Sequence, residues 1–422
     1  MQLRPKIAPY IVEIISQLQN AGYEAYIVGG AVRDFLLNRQ PKDYDLSTSA
    51  TPEQIKKVFR DRHVLIIGKR FRLVHLHHHG EIIEISTFRK RPQDQTELRR
   101  PGKQAPEHMI FQDNEFGTAE EDAWRRDFTI NAIFYDPVND KIVDYTGMGM
   151  KDLAAKTVRS IGDPVLRFEE DPVRILRALK LVGQYDFTMD AETESAVTKC
   201  IEFIVHASAS RLTLELEKIL KNPYGHLILE TFHRYGFLKR FLPFIDSCWG
   251  TPACDYMMKL LEERNRRILE GKYRDSISLA MSIMTLPFAE KLISDREPGQ
   301  LWNYLPDIAE DLRQILLKVL NPGTPTKRAV AAAVRTLMLQ ERIKNLMIKK
   351  LVSHPGYSHA RELGIIQNNV MWKFWHYEEQ LPPPEPRSEK RRRGRRHGRK
   401  RSAVPVPVPV PVPAGETTGT CH

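Results

Sequence analysis

The apolar run Ala25-Tyr26-Ile27-Val28 stops at Gly29-Gly30, and apolar positions then recur at Val32, Leu36 and Leu37. That change of period predicts a strand turning directly into a helix. Alternation of the kind seen in Glu81-Ile82-Ile83-Glu84-Ile85 predicts a half-exposed strand, and similar patterns place strands near residues 24–28, 43–47, 63–67, 72–77, 82–88 and 129–136. Thr51-Pro52-Glu53-Gln54 has the form of a capping box and opens a helix running to Phe59. Residues 90–116 are polar and rich in Arg, Gln and Pro, so they are expected to form a flexible loop able to order around RNA or nucleotide. After Asp163-Pro164 the pattern is helical to about residue 376, with Arg211 to Leu220 a long amphipathic example. Strands first and helices after make the chain α+β. The expected divisions are 1–160, 161–235, 236–380 and a tail over 381–422.

Chemistry enters at the first turn. Two glycines let backbone N–H groups approach an anion closely, and the following helix N-terminus adds partial positive charge, so Gly29 and Gly30 suit a triphosphate. Arg33, one turn in, can reach the same anion. An ordinary turn has the same sequence. On an extended strand Asp43 and Asp45 share a face while Tyr44 turns to the core. Two carboxylates that close call for cations, and hard divalent ions, Mg²⁺ above all, are the usual partners. A solvated acidic turn after Pro41-Lys42 is the plainer reading of Asp-x-Asp alone.

Two further segments follow: Glu-Glu-Asp-Ala-Trp-Arg-Arg-Asp-Phe-Thr-Ile-Asn at 120–131, and Glu-Glu-Asp-Pro-Val-Arg-Ile-Leu-Arg-Ala-Leu-Lys at 169–180. With Gly-Gly-Ala-Val-Arg-Asp and Asp-Tyr-Asp, in this order over residues 22 to 240, the chain resembles the class II nucleotidyltransferases, the family of bacterial poly(A) polymerases and CCA-adding tRNA nucleotidyltransferases. The resemblance implies a DNA-polymerase-β-like head, helical neck and body domains, and two-metal chemistry with Mg²⁺, or Mn²⁺ in its place. It assigns the triphosphate to Gly30 and Arg33, the metals to Asp43 and Asp45, and ribose or phosphate to Arg126. Asp127 is taken as the third active-site carboxylate, with Glu84 competing for that role. For Arg125, Arg126 and Asp127 a surface ion-pair cluster is the plain alternative.

Without a template strand, side chains must read the incoming base. Asp171 can accept from an exocyclic amine and Arg174 can donate to a ring nitrogen, which suits adenine or cytosine. Asp171-Pro172 also reads as a helix start, with Asp171 the N-cap. Asp171, Arg174, Arg177 and Lys180 wind along one polar stripe opposite Val173, Leu176 and Leu179. The family commonly has Arg where Lys180 stands, so a bidentate role is in doubt there. Another departure is Met148, inserted in Tyr145-Thr146-Gly147-Met148-Gly149-Met150 where the family has adjacent glycines; it is expected to alter only a turn.

Adenine and cytosine share that amine-plus-acceptor edge, so other segments must separate the two branches. Leu65 to His75 resembles the segment that marks bacterial poly(A) polymerases, and is otherwise a basic strand or loop. Residues 390–401 hold nine Lys or Arg and no acid. The chain carries a net charge of +11, and the residues from 382 onward supply seven of it. Such an arm stays solvated and tracks RNA phosphates without regard to sequence; a nuclear-localisation or membrane-surface segment would have the same composition. Val404 to Pro413 repeats Val-Pro and favours a polyproline II spacer.

No apolar stretch approaches the roughly 20 residues that span a bilayer, and Met1 to Lys6 lacks a secretory pattern, so a cytoplasmic protein is expected. Cysteines at 200, 248, 254 and 421 show no Cys-x-x-Cys spacing. His75, His77, His78 and His79 invite a metal reading, but no Cys stands near to complete a zinc set, and sheet positions explain them better. The expectation is a template-independent RNA adenylyltransferase that adds AMP from ATP to RNA 3′ ends. CCA addition is the alternative within the same chemistry, and an RNA-binding module with an inert acidic pair is the alternative outside it.

Overall fold

The computed structural model describes residues 7–68, 73–78, 80–90, 115–294, 306–349 and 351–384. Most of the expected 90–116 loop lies outside the described residues. So do Lys69 to Arg72, His79, the basic block 390–401, the Val-Pro repeat and Cys421.

Seven strands form one sheet: β1 (Ala25–Val28), β2 (Asp45–Thr48), β3 (Val64–Ile67), β4 (Leu73–His78), β5 (Glu81–Thr87), β6 (Ile133–Asp136) and β7 (Lys141–Asp144). Their spatial order is β3-β4-β5-β2-β1-β6-β7. Among the described residues of this sheet only the β2–β5 pair is parallel. Period-two alternation sorts β1 between two cores: Ala25 and Ile27 join the large cluster that includes Ile11 and Ile15 of helix α1 (Pro9–Asn20), while Tyr26 and Val28 meet Ala123, Ala132, Phe134 and Ile161 on the other face.

Three expectations shift. The second strand begins at Asp45 rather than at residue 43: Asp45 is the first residue paired, with Val28 of β1 on one side and Glu84 of β5 on the other. Residues 129–136 are not one strand: Thr129–Asn131 form a tight 3₁₀ turn before β6, whose four residues are all buried. The hairpin strand β7 escaped the sequence pattern because its two apolar residues are flanked by Lys141 and Asp144.

Helix α2 (Gly30–Leu36) follows the glycine turn. Capping boxes open α3 (Pro52–Val58) through Thr51 and Gln54, and α4 (Ala119–Trp124) through Thr118 and Glu121, each worth about 1 kcal/mol. Met148 stands in the turn from β7 to α5 (Gly149–Ala154), where Asp144 accepts from Thr146 Oγ1 and from the amides of Gly147 and Met150. Of the described strand histidines, His77 packs its ring on His63 at 4.5 Å and His78 stacks on Tyr10.

From Asp163 onward the chain is mainly helical: α6 (Pro164–Glu170), α7 (Val173–Tyr185), α8 (Ala191–Cys200), α9 (Ala209–Lys221), α10 (Gly225–Arg234), then longer helices including Pro252–Leu269, Ile277–Ser294 and Tyr357–Gln367. Asp163 caps α6 through the amides of Val165 and Leu166. The large apolar cluster continues from the sheet through α7, α9 and α10 into Ile277–Ser294, so sheet and helices share one interior. Among the described residues no helix is long and apolar enough to cross a membrane.

Helices α7 and α10 cross where Gly183 has no side chain. A Cβ there would stand 2.8 Å from the Ile228 Cα and 2.8 Å from the Leu227 carbonyl oxygen, both backbone atoms that cannot step aside. Gly183→Ala is therefore expected to cost about 1–3 kcal/mol by overpacking, seen as a lower denaturant midpoint; an unshifted midpoint would mean the crossing is slack.

Candidate active site

Strand register builds the site. Because β1 and β2 are antiparallel with Val28 opposite Asp45, the turn leaving β1 stands beside the carboxylates entering β2. Gly29 sits there at φ 71°, a conformation that favours glycine. A Cβ on it would lie 3.4 Å from Arg126 Nη1 and 3.8 Å from Asp45 Oδ2. Asp43 and Asp45 are both exposed, while Tyr44 between them is half-buried with its ring 6.0 Å from Phe35. Water reaches Asp45, yet the surrounding walls strip much of its hydration. That desolvation lifts its carboxyl above the ordinary value against the pull of Arg126, and the charge of Asp43 adds to the rise.

Every residue expected to meet nucleotide or metal, namely Gly29, Gly30, Arg33, Asp43, Asp45, Arg126, Asp127, Asp171, Arg174, Arg177 and Lys180, lines one cleft of about 1140 Å³ between the sheet and helix α7. Their individual settings differ. Arg126 donates to Asp122 at 2.8 Å and reaches Ser47 Oγ at 3.4 Å, with Phe134 under its guanidinium. Burial would raise the Asp122 carboxyl, but Arg126 and Arg125 together hold it below the usual range.

Arg33 is buried, and it donates to Asn131 Oδ1 at 2.6 Å, Tyr185 Oη at 2.6 Å and Asp34 at 2.8 Å. It braces the glycine turn against the far end of α7 while lining the cleft beside Gly30.

Asp127, expected as the third active-site carboxylate, lines the cleft but is largely buried. Only 7% exposed, it accepts from the Phe128 amide at 2.9 Å and Asn131 Nδ2 at 3.2 Å, and its Oδ2 lies 2.8 Å from Arg177. Burial pushes its pKa up, and Arg177, Asn131 and Arg174 more than reverse that, leaving it lowered. The competing Glu84 stands opposite Asp45 in the β2–β5 register, half-exposed and 3.5 Å from His75. Among the described residues no three His, Cys, Asp or Glu side chains cluster closely enough to cage an ion.

Along α7 the polar stripe faces the cleft, and each member has a partner. Helix α7 starts at Val173, so Asp171 is not the N-cap residue; its carboxylate accepts the Val173 amide from one position further out. The same carboxylate takes both forks of Arg211, at 2.9 and 2.7 Å. Arg174 pairs with Glu170 at 2.8 Å and donates to the Arg167 carbonyl. Arg167, fully buried, bonds Glu170 and the carbonyls of Arg125 and Arg126, clamping the 120–131 segment to α6. Lys180 pairs with Glu215 at 2.9 Å.

Sequence reasoning singled out neither Asn131, Tyr185, Arg211 nor Glu215. Asn131 stands inside the 120–131 segment, and Arg211 and Glu215, spaced i, i+4 on the amphipathic helix, carry only a local signal of polar pairing.

Glu215 carries a pH signature. Burial raises its carboxyl, yet Lys180 and Lys218 hold it down to about 2 from 4.5, while burial lowers Lys180. A depressed folded pKa stabilises above the unfolded value and stops doing so as pH falls through the folded one. Glu215→Gln should thus be less stable than wild type at pH 7, with the gap closing between pH 4.5 and about 2 in acid-unfolding curves. A gap independent of pH would show that packing, not charge, makes this contact.

Residues 25–159 match the family described as Poly A polymerase head domain, and residues 186–248 match the one described as probable RNA and SrmB-binding site of polymerase A. The chain is 39% identical over 297 residues to Poly(A) polymerase I of Haemophilus influenzae, covering 69% of this chain and 65% of that one, just under two thirds of its length. It is 30% identical over 400 residues to Poly(A) polymerase I of Escherichia coli, covering 91% and 85%. A CCA-adding enzyme of Geobacillus is 37% identical over 256 residues, 60% of each chain. The fold is that of the Bacillus stearothermophilus CCA-adding enzyme solved with CTP, at a TM-score of 0.58 and 24% identity over 89% of this chain and 82% of that one. Sequence segments, fold and relatives agree: the chain belongs to the class II nucleotidyltransferase family and is a nucleotidyltransferase.

Proposed function

We propose that this chain is a template-independent polynucleotide adenylyltransferase, in which an RNA 3′-hydroxyl attacks the α-phosphate of ATP and pyrophosphate leaves. The observation that carries the reading is the meeting of a glycine turn, two open carboxylates and the polar stripe of α7 in one cleft. Adenylate rather than CCA addition is favoured by the alignment with Poly(A) polymerase I of Escherichia coli, which spans 91% of the chain against 60% for the Geobacillus CCA-adding enzyme. The basic arm over 390–401 points the same way, since it binds RNA without regard to sequence.

Asp43 and Asp45 fit divalent ions: both are exposed hard-oxygen donors, and the carboxyl of Asp45, raised first by desolvation and then by the charge of Asp43, is one a bound cation would bring back down. Mg²⁺, or Mn²⁺, bound there would stabilise charge on the reacting phosphates and activate the attacking hydroxyl. Asp127 was assigned with them; in the present geometry it serves by holding Arg177, and joining a metal would require that pair to part. The amides at the start of α2 lack intrahelical acceptors and are available to phosphate oxygens, with Arg126 alongside. Three of the four acceptor positions on Asp171 are filled, by Val173 and the two Arg211 nitrogens, which leaves one on Oδ2 for an exocyclic amine. Arg174 uses Nη1 for its protein partners and keeps its other N–H groups for a ring nitrogen.

Incubating the purified chain with short unstructured RNA and each nucleotide separately tests the reading. Long homopolymer from ATP alone is expected, and addition that stops after three CTP- and ATP-dependent steps would establish CCA addition instead. Asp45→Ala should abolish incorporation while leaving RNA affinity intact; undiminished incorporation would reject the metal assignment and leave a binding module.

Deleting the chain from Lys390 onward removes nine cations. RNA affinity should fall and its dependence on salt concentration should flatten. An unchanged salt slope would remove the arm from the RNA-binding surface.

A further inference from the structure

Far along the chain from the cleft residues, the segment that closes the C-terminal end of the helical region turns its largest side chains outward. A small separate core of Leu339, Ile343, Leu351, Tyr357, Ile365 and Tyr377 lies beneath it. Above that core, helix Tyr357–Gln367 widens into a π-helical turn over Asn368–Trp372, and the chain then takes left-handed φ at Lys373 (54°) and His376 (50°). Neither residue is glycine, so this backbone is strained and must be held from outside. The hold is visible: Asn368 bonds both the amide and the carbonyl of Phe374, at 2.7 and 3.3 Å, Gln380 bonds the Trp375 carbonyl, and Tyr377 bonds the Ile343 carbonyl at 2.8 Å.

The product of that effort is exposure. Trp375 is 87% exposed, with Met371 and Phe374 on the same loop exposed as well. Packing does not account for a tryptophan so bare. Two lysines stand at this loop. Lys344 lies over the Trp372 ring at 5.3 Å and Lys373 is exposed between the aromatics. Of the nearby acids, Glu378 is paired with Arg267, while Glu379 faces His376, which offsets its charge only when protonated. Past Pro384 the sequence leads within a few residues to the nine cations of 390–401.

We propose that Trp375, with Phe374 and Met371 beside it on the loop, is a stacking platform for single-stranded RNA upstream of the 3′ end. Aromatic faces flanked by lysines bind unpaired bases of any identity, the ring taking the base and the cations the phosphates. A neutral or basic protein surface would gain little from the lysines, whereas a polyanion with unpaired bases uses both components. The platform does not depend on which nucleotide the cleft adds.

The test uses the full chain without ATP, so that its result is separate from the outcome of any incorporation assay. Affinities for a long oligoadenylate and for one of a few nucleotides are measured by fluorescence anisotropy for wild type, Trp375→Ala and Trp375→Phe. The alanine variant is expected to bind the long RNA about tenfold more weakly or worse, to bind the short one as wild type does, and to be largely rescued by phenylalanine. Wild-type affinity for long RNA in the alanine variant would end the proposal and leave the loop to a protein partner. An equal loss on both RNAs, or a phenylalanine variant no better than alanine, would equally overturn it.

Discussion

The contact between Asp127 and Arg177, 2.8 Å long, holds the two walls of the cleft in register. One partner comes from the segment that leads into the sheet and the other from the middle of helix α7, so neither wall supplies it alone. Asn131 extends the contact by bonding Asp127 on one side and Arg33 on the other, and Arg33 in turn meets Tyr185 at the end of α7. From Arg177 to Tyr185 is eight residues, about 12 Å of helix. The long helix is thus fixed to the sheet at two points, which sets where its polar stripe faces. A buried carboxylate is costly without a counter-charge, so the loss of either partner would weaken far more than one hydrogen bond.

The sheet contributes its half through topology. A strand that ends in a glycine turn, paired antiparallel with one that begins in an aspartate, necessarily brings anion-binding amides and acidic oxygens together at one edge. Reversing that pairing, or sliding it by one residue, would separate them or turn Asp45 to the other face.

How much of this was legible depends on whether the signal was local. The strand-turn-helix at Gly29 and Gly30, the capping box at Thr51 and the α7 stripe are written in neighbouring residues, and the fold keeps them where the sequence placed them. The residues expected at the site do meet in one cleft, but Asn131, Tyr185 and Arg211, which also line it, were not among them. Partner choice was not legible. That Arg33 would brace the glycine turn against Tyr185, that Asp127 would pair with Arg177 and that Arg211 would fork onto Asp171 are outcomes of contacts 40 to 152 residues apart in the chain. No period or spacing reports such distances. The missed strand β7 has too few apolar residues to announce itself.

In the cleft Arg126, Arg174, Arg177 and Lys180 are each already matched with a carboxylate of the chain itself, Asp122, Glu170, Asp127 and Glu215. An anion that comes to these four positions therefore meets salt bridges rather than bare cations, and must outcompete carboxylates fixed at contact distance. A lone phosphate or chloride has too little charge, and too few oxygens, to win several such exchanges at once. A ligand that carries many acceptors on one rigid frame makes them together, so the internal pairing works as a threshold that spares the cleft from the small anions of its surroundings.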